Sequence, residues 1–217
     1  MDVLKFGGTS VKDAKNISRV IDIVSNRDSR QAVVVVSALG GITNQLIEAA
    51  SLAENGQDSY KTLLTEIETR HLDVIKALIT VNRQSSVVAK VKIQLNELED
   101  LLRGMSLVGE VSPITLNIVQ SFGKRLSSYI IFEAFKERGF EVTYLDARQI
   151  IKTDSNYNNA IVDFDSTNAL ITQWFSSHKG LHIVPGFIAS NAENKTTTLG
   201  RGGSDYSAAI YAAALNS

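Results

Sequence analysis

Apolar residues gather in four short runs along the chain. Val3 to Phe6 ends at Gly7-Gly8, and Ala32 to Val36 holds four consecutive valines. Phe140 to Leu145 and Leu181 to Val184 follow, the last closed by Pro185-Gly186. Runs of this length, bounded by glycine or proline, predict strands. The valine run predicts one buried on both faces. Between the first two, Val11, Ala14, Ile17, Val20, Ile21 and Val24 recur at helical spacing, predicting a helix over about 11–26. Gly40-Gly41 breaks the second run, and a helix is expected near Thr43 with Thr43 as its N-cap. Strand, glycine loop, helix, repeated twice, is the pattern of a parallel sheet wrapped by helices.

The middle of the chain changes period. Residues 59–80 and 84–102 are rich in Leu, Ile, Glu and Lys at helical spacing, and Arg103-Gly104 is expected to end the second helix. Pro113 opens another helix that runs to about Arg138, where Gly139 closes it. These form a helical insert at about 57–138. Alternation then returns. Ile150-Ile151 is expected to start a short strand, and Ser166 to Ser177 a helix capped by Ser166 or Thr167. Residues 187–199 read as a polar hairpin or excursion. A glycine-rich turn at 200–203 precedes an alanine-rich helix over 204–215. The fold class is α/β with a mainly parallel sheet.

The 217 residues suit one large domain or most of a bigger one. A net charge of −1 leaves no global attraction to nucleic acid or an anionic membrane, so neither is an expected partner. With no cysteine, disulfides, thiolate metal sites and cysteine nucleophiles are excluded. No metal site is expected from protein side chains. The N-terminus has no signal-peptide pattern and no stretch reaches the roughly 18 apolar residues of a membrane helix. A cytoplasmic location is the expectation.

Three strand-to-helix loops carry chemistry. Lys5-Phe6-Gly7-Gly8-Thr9-Ser10 joins a strand-end lysine to glycines and a helix start, which suits a phosphate. It is not a Walker A loop. Val36 to Asn44 repeats the arrangement, with Ser37 and Thr43 able to hold a carboxylate or phosphate. Taken alone, this loop reads more readily as a capped helix after a glycine turn. Gly200 to Ser207 sets Arg201 among three glycines, with Gly203, Ser204 and Asp205 opening a helix. An arginine can grip a carboxylate or phosphate with two parallel hydrogen bonds. In a parallel sheet all three loops fall beyond the carboxyl ends of the strands, where such sheets bind ligands.

KFGGTSV at 5–11, VSALGGITN at 36–44 and GRGGSDYSA at 200–208 together resemble aspartate kinase, in the right order and across nearly the whole chain. GMSLVG at 104–109 further resembles the bifunctional aspartokinase–homoserine dehydrogenases. The resemblance implies the amino-acid-kinase (carbamate-kinase-like) fold, a three-layer α/β/α sandwich. It implies transfer of the γ-phosphoryl of Mg-ATP to the β-carboxylate of L-aspartate, the first step toward lysine, threonine and methionine. Lys5 and Asp205 would be catalytic. Lys5, Gly7, Gly8, Ser10, Gly203 and Ser204 would hold the ATP phosphates, with Mg carried mainly by them. Ser37, Thr43, position 124 and Arg201 would contact the substrate. The family usually has a glycine–glutamate pair where Gly123-Lys124 stands here. A lysine offers donors and no acceptor to a substrate ammonium. The resemblance also implies further strands after the third motif, then ACT domains and, in bifunctional members, an NADP-dependent dehydrogenase. On that basis the chain reads as truncated at its C-terminus, with little activity alone, from a parent that is a homo-oligomer. A non-catalytic anion-binding module, or a kinase for another acidic substrate, remains open.

Overall fold

The computed structural model describes residues 1–27 and 31–217. Four parallel strands form the central sheet in the order β1-β2-β4-β3 among the described residues. They are β1 (Asp2–Phe6), β2 (Ala32–Val36), β3 (Val142–Tyr144) and β4 (Leu181–Pro185). Side chains alternate across a strand, so β2 feeds two cores. Ala32, Val34 and Val36 pack with α1 (Ala14–Ser25), α2 (Ile42–Glu54), α3 (Tyr60–Leu78), α4 (Val81–Val108) and α5 (Pro113–Glu137). Val33 and Val35 pack with α6 (Phe164–Ser177), α7 (Gly203–Leu215) and the hairpin β5 (Ile188–Ser190)–β6 (Thr196–Thr198). The sheet therefore lies between two helical layers, as expected for the sandwich. All five β2 residues are buried, as the valine run predicts.

Several boundaries differ from the sequence reading. The first helix begins at Ala14, three residues late, because Asp13 caps it by accepting from the Asn16 amide at 2.8 Å. Thr43 is no cap. Gly41, at φ 83°, turns the chain into α2 and leaves Thr43 inside the first turn. The helix α4 runs through Gly104 to Val108. Leu98, Leu102 and Met105 continue one buried stripe across that point, and Gly109 at φ 71° ends the helix instead. Burial of the stripe outweighs the roughly 1 kcal/mol cost of an interior glycine. Residues 147–149 form a 3-10 turn, and Ile150 caps it rather than starting a strand. Only isolated bridges, Lys152 with Ser190 and Thr153 with Val162, follow. The cap of α6 is Asp163, accepting from the Ser166 amide at 3.1 Å, while Thr167 is buried and bonds the Lys152 backbone. The hairpin is polar in sequence, yet both its strands are buried, and their hydroxyls bond outside it: Thr197 with Thr153, Thr198 with Asn117 and Ser190 with the Arg148 carbonyl.

The parallel register sets Phe6 beside Val36 and Val36 beside Pro185. Hence the loops after β1, β2 and β4 leave the sheet at one edge, while the third glycine loop, expected to follow a strand of this sheet, instead follows β6, whose antiparallel pairing with β5 carries the chain back. Among the described residues no helix is long and apolar enough to cross a membrane.

Candidate functional site

At that edge opens a cavity of about 620 Å³. Lys5, Gly7, Gly8, Ser37, Thr43, Lys124, Arg201, Gly203, Ser204 and Asp205 all line it. Ten of the eleven residues picked from the sequence thus meet in one place. Ser10 is the exception. Its amide donates to the Gly7 carbonyl at 2.9 Å, closing the loop without lining the cavity.

Strand alternation sets the first group. Lys5 shares the β1 face of Val3, which packs in the core beneath α7. Its ammonium therefore meets Asp205, in the first turn of α7, at 2.8 Å. The Lys5 side chain is 28% exposed and that of Asp205 is 71% exposed. The pair is open to solvent and available to a ligand. The first two loops touch closely: a Cβ on Gly40 would lie 2.9 Å from the Lys12 Cβ and 3.3 Å from the Gly8 carbonyl oxygen. No larger residue fits between them. Arg70, in α3, donates to the Gly40 carbonyl at 2.8 Å and to Gln45 at 3.2 Å, which clamps the second loop from outside.

The opposite wall comes from α5. Gly123 lets α5 approach α2, since a Cβ there would sit 3.1 Å from Ala38, 3.2 Å from Leu46 and 3.3 Å from Ile42. This contact lays Lys124 against the start of α2. One helical turn on, Ser127 donates to the Ser37 carbonyl at 2.7 Å and ties α5 to the second loop. Lys124 is 5% exposed. Its ammonium donates to the Thr43 hydroxyl at 2.7 Å and lies 4.2 Å from the centre of the Phe187 ring. Burial lowers its pKa from 10.5 to about 8. A cation against an aromatic face gains some attraction. No carboxylate among the described residues forms an ion pair with it within 4.0 Å.

Phe187 itself holds φ 74°. A bulky side chain in that region costs on the order of 1–3 kcal/mol and persists only when its surroundings fix it. Here the Phe187 amide donates to the Ser207 hydroxyl at 2.8 Å, and its carbonyl accepts from the Leu199 amide at 2.9 Å. The strained residue presents its ring to Lys124. Sequence reasoning did not single out Phe187, Gln120 or Asn158, which also line the cavity. Gln120 had a signal: it lies four residues before Lys124, on the same helix face. Phe187 and Asn158 had none, because their places follow from a strained loop and from long-range contacts.

The cavity walls carry three basic side chains, Lys5, Lys124 and Arg201, and one acidic one, Asp205. The N-termini of α2 and α7 also open there, and their dipoles favour negative charge. The arrangement attracts a ligand with more than one anionic group. Among the described residues no cluster of three His, Cys, Asp or Glu could hold a metal. Asp205 alone could add one oxygen to a magnesium ion held by phosphates, the usual manner for that ion.

The family model described as the amino acid kinase family matches residues 2–217. The chain is 31% identical over 217 residues to the chloroplastic bifunctional aspartokinase/homoserine dehydrogenase 1 of Arabidopsis thaliana, covering 99% of this chain and 24% of that protein. It is 33% identical to the lysine-sensitive aspartokinase 3 of Escherichia coli, covering 99% of this chain and 46% of that one. The chain thus spans a quarter to a half of such relatives. A crystal structure of E. coli aspartokinase III with aspartate and ADP superposes with a TM-score of 0.91 at 31% identity, covering 100% of this chain and 47% of that one.

Proposed function

The chain belongs to the amino acid kinase family, and on that premise we propose that it forms the acceptor and phosphate side of an aspartokinase-type enzyme. The reaction moves the γ-phosphoryl group of ATP onto the carboxylate of a small acidic substrate. The observation that carries the reading is the convergence of Lys5, Ser37, Thr43, Arg201 and Asp205 on one cavity at the strand ends. A carboxylate is already ionised at neutral pH, so the site needs no strong general base. It needs two anions held in line and charge neutralised as the phosphoryl group passes between them. Lys5 meets that need at the transfer end, and Asp205 fixes its ammonium. The amides at the start of α7 and the glycines of the first loop cradle phosphate oxygens. Magnesium, carried by the phosphates, supplies further charge neutralisation when bound. Arg201 grips the substrate carboxylate that does not react.

L-Aspartate is the acceptor to test first, because E. coli aspartokinase III is crystallised with aspartate and ADP. Hydroxylamine traps an acyl phosphate as a hydroxamate. We expect the full-length protein to give hydroxamate from Mg-ATP and an acidic substrate, with Lys5→Met lowering the yield at least about 100-fold. A yield indifferent to Lys5→Met breaks the reading. The buried Lys124 favours a second reading within the same chemistry, an acidic substrate other than L-aspartate.

A further inference from the structure

We propose that Lys124 makes the acceptor end of this cavity a carboxylate-binding position, so that the preferred ligand is a small dicarboxylate without an ammonium group. The inference rests on the proposed acidic-substrate reading and specifies the substrate class of the same site.

An ammonium carries three donors and no acceptor. The Thr43 hydroxyl takes one donor at 2.7 Å. The Phe187 ring lies against the ammonium at 4.2 Å, which offers attraction but no anionic charge. A third donor is left for whatever enters the cavity that Lys124 lines. At 5% exposure, water gives it little compensation. A buried charge without an ionic partner is costly, and proteins pair such groups. The structure pairs the other lysine of the cavity, Lys5, with Asp205 and gives Lys124 no carboxylate among the described residues. The missing anion is therefore supplied by the ligand.

Arg201 calls for a second anionic group from the same ligand. An ammonium-bearing ligand would set one cation against another where water is scarce, and the repulsion grows as the local dielectric falls. Thr43 does not offset it, because its hydroxyl, which already accepts from Lys124, carries no negative charge. Gln120, beside Lys124 on the same wall, can donate to a carboxylate oxygen through its amide. Each polar group near Lys124 can thus serve a carboxylate.

Succinate and L-aspartate differ only by the ammonium, so calorimetric titration of this chain with each at pH 7 tests the inference. Succinate is expected to bind at least about 10-fold tighter, which corresponds to 1.4 kcal/mol. Lys124→Met is expected to weaken succinate at least about 10-fold and to remove the preference. Lys124→Glu is expected to reverse it. If the glutamate variant does not fold, the isosteric methionine variant decides. Tighter binding of L-aspartate than succinate by the parent chain overturns the inference and leaves the proposed function standing. Unchanged succinate affinity in Lys124→Met overturns it in the same way. Failure of both ligands to bind a chain folded by circular dichroism overturns the inference and the acidic-substrate reading together.

Discussion

Lys5 and Lys124 line one cavity from opposite walls, and their surroundings differ in every respect that sets the behaviour of a charge. Lys5 sits at a strand end, 28% exposed, with a carboxylate at 2.8 Å. Lys124 sits inside a helix contact, 5% exposed, with a hydroxyl and an aromatic face. The exposed, paired lysine can exchange its carboxylate for a phosphate oxygen at little cost. The buried, unpaired one is held at a fixed point and gains most from an anion that arrives with the ligand. One wall suits a charge that moves during reaction, the other a charge that selects what may enter.

Removing the moving charge has the largest expected effect. Lys5→Met should lower kcat/KM for phosphoryl transfer by about 100- to 1000-fold, or about 3–4 kcal/mol of transition-state stabilisation, measured as hydroxamate formation. It should leave the urea midpoint close to that of the parent, because solvent-exposed ion pairs contribute little. A large stability loss would show that Lys5 is structural and erase the contrast.

Forcing the two walls apart comes next. Gly123→Val places branched carbons where Ala38, Leu46 and Ile42 already crowd within 3.1–3.3 Å of a Cβ. Such overpacking should cost about 2–3 kcal/mol in urea unfolding. It should also weaken binding of the acidic ligand, since the same contact aims Lys124.

The buried charge itself should be destabilising. Its pKa falls from 10.5 to about 8, a change worth about 3 kcal/mol in full. Because the folded value lies below the unfolded one, the unfolded chain binds more protons between pH 8 and 10.5. Stability from this group therefore rises with pH across that window, and below pH 8 the whole cost is present. Lys124→Met should stabilise the unliganded protein by about 2 kcal/mol at pH 7, and the gain should shrink toward pH 10. A pH-independent difference in urea unfolding would show that Lys124 is not a buried charge in solution.

The smallest effect belongs to the partner of Lys5. Asp205→Asn should change stability by less than about 1 kcal/mol, because the carboxylate is 71% exposed. Thermal denaturation of this variant against the parent checks it. A larger shift would mean that both lysines sit in structurally critical contacts.

Much of the site was legible because glycine-rich loops at strand ends leave a local trace. The first two motifs needed no knowledge of distant neighbours, since a parallel sheet sends the loops after β1 and β2 to one edge, whereas the third follows β6 and is brought there by its antiparallel pairing with β5. The helices were legible for the same reason, since periodicity is local. Their ends were not. The interior Gly104 looks like a stop, and only the buried stripe continuing to Met105 keeps the helix running. Thr43 and Ser166 look like caps, but Gly41 and Asp163 hold those places once the preceding chain is positioned. The segment 187–199 is polar in sequence, and its two strands lie buried because neighbouring segments satisfy their hydroxyls.

The sequence by itself determined the alternation of strands and helices, the three anion-seeking loops and the presence of a lysine at position 124. Each of these follows from residue type and spacing over a few neighbours. Tertiary structure alone decided that Lys124 is buried, that Thr43 and Phe187 face it, and that no acid among the described residues neutralises it. Residues 43, 124 and 187 are far apart in the chain, and their meeting depends on Gly123 admitting α5 against α2 and on the strained turn at Phe187. The charge of a side chain is written in its identity, but the energy of that charge depends on what folding packs around it.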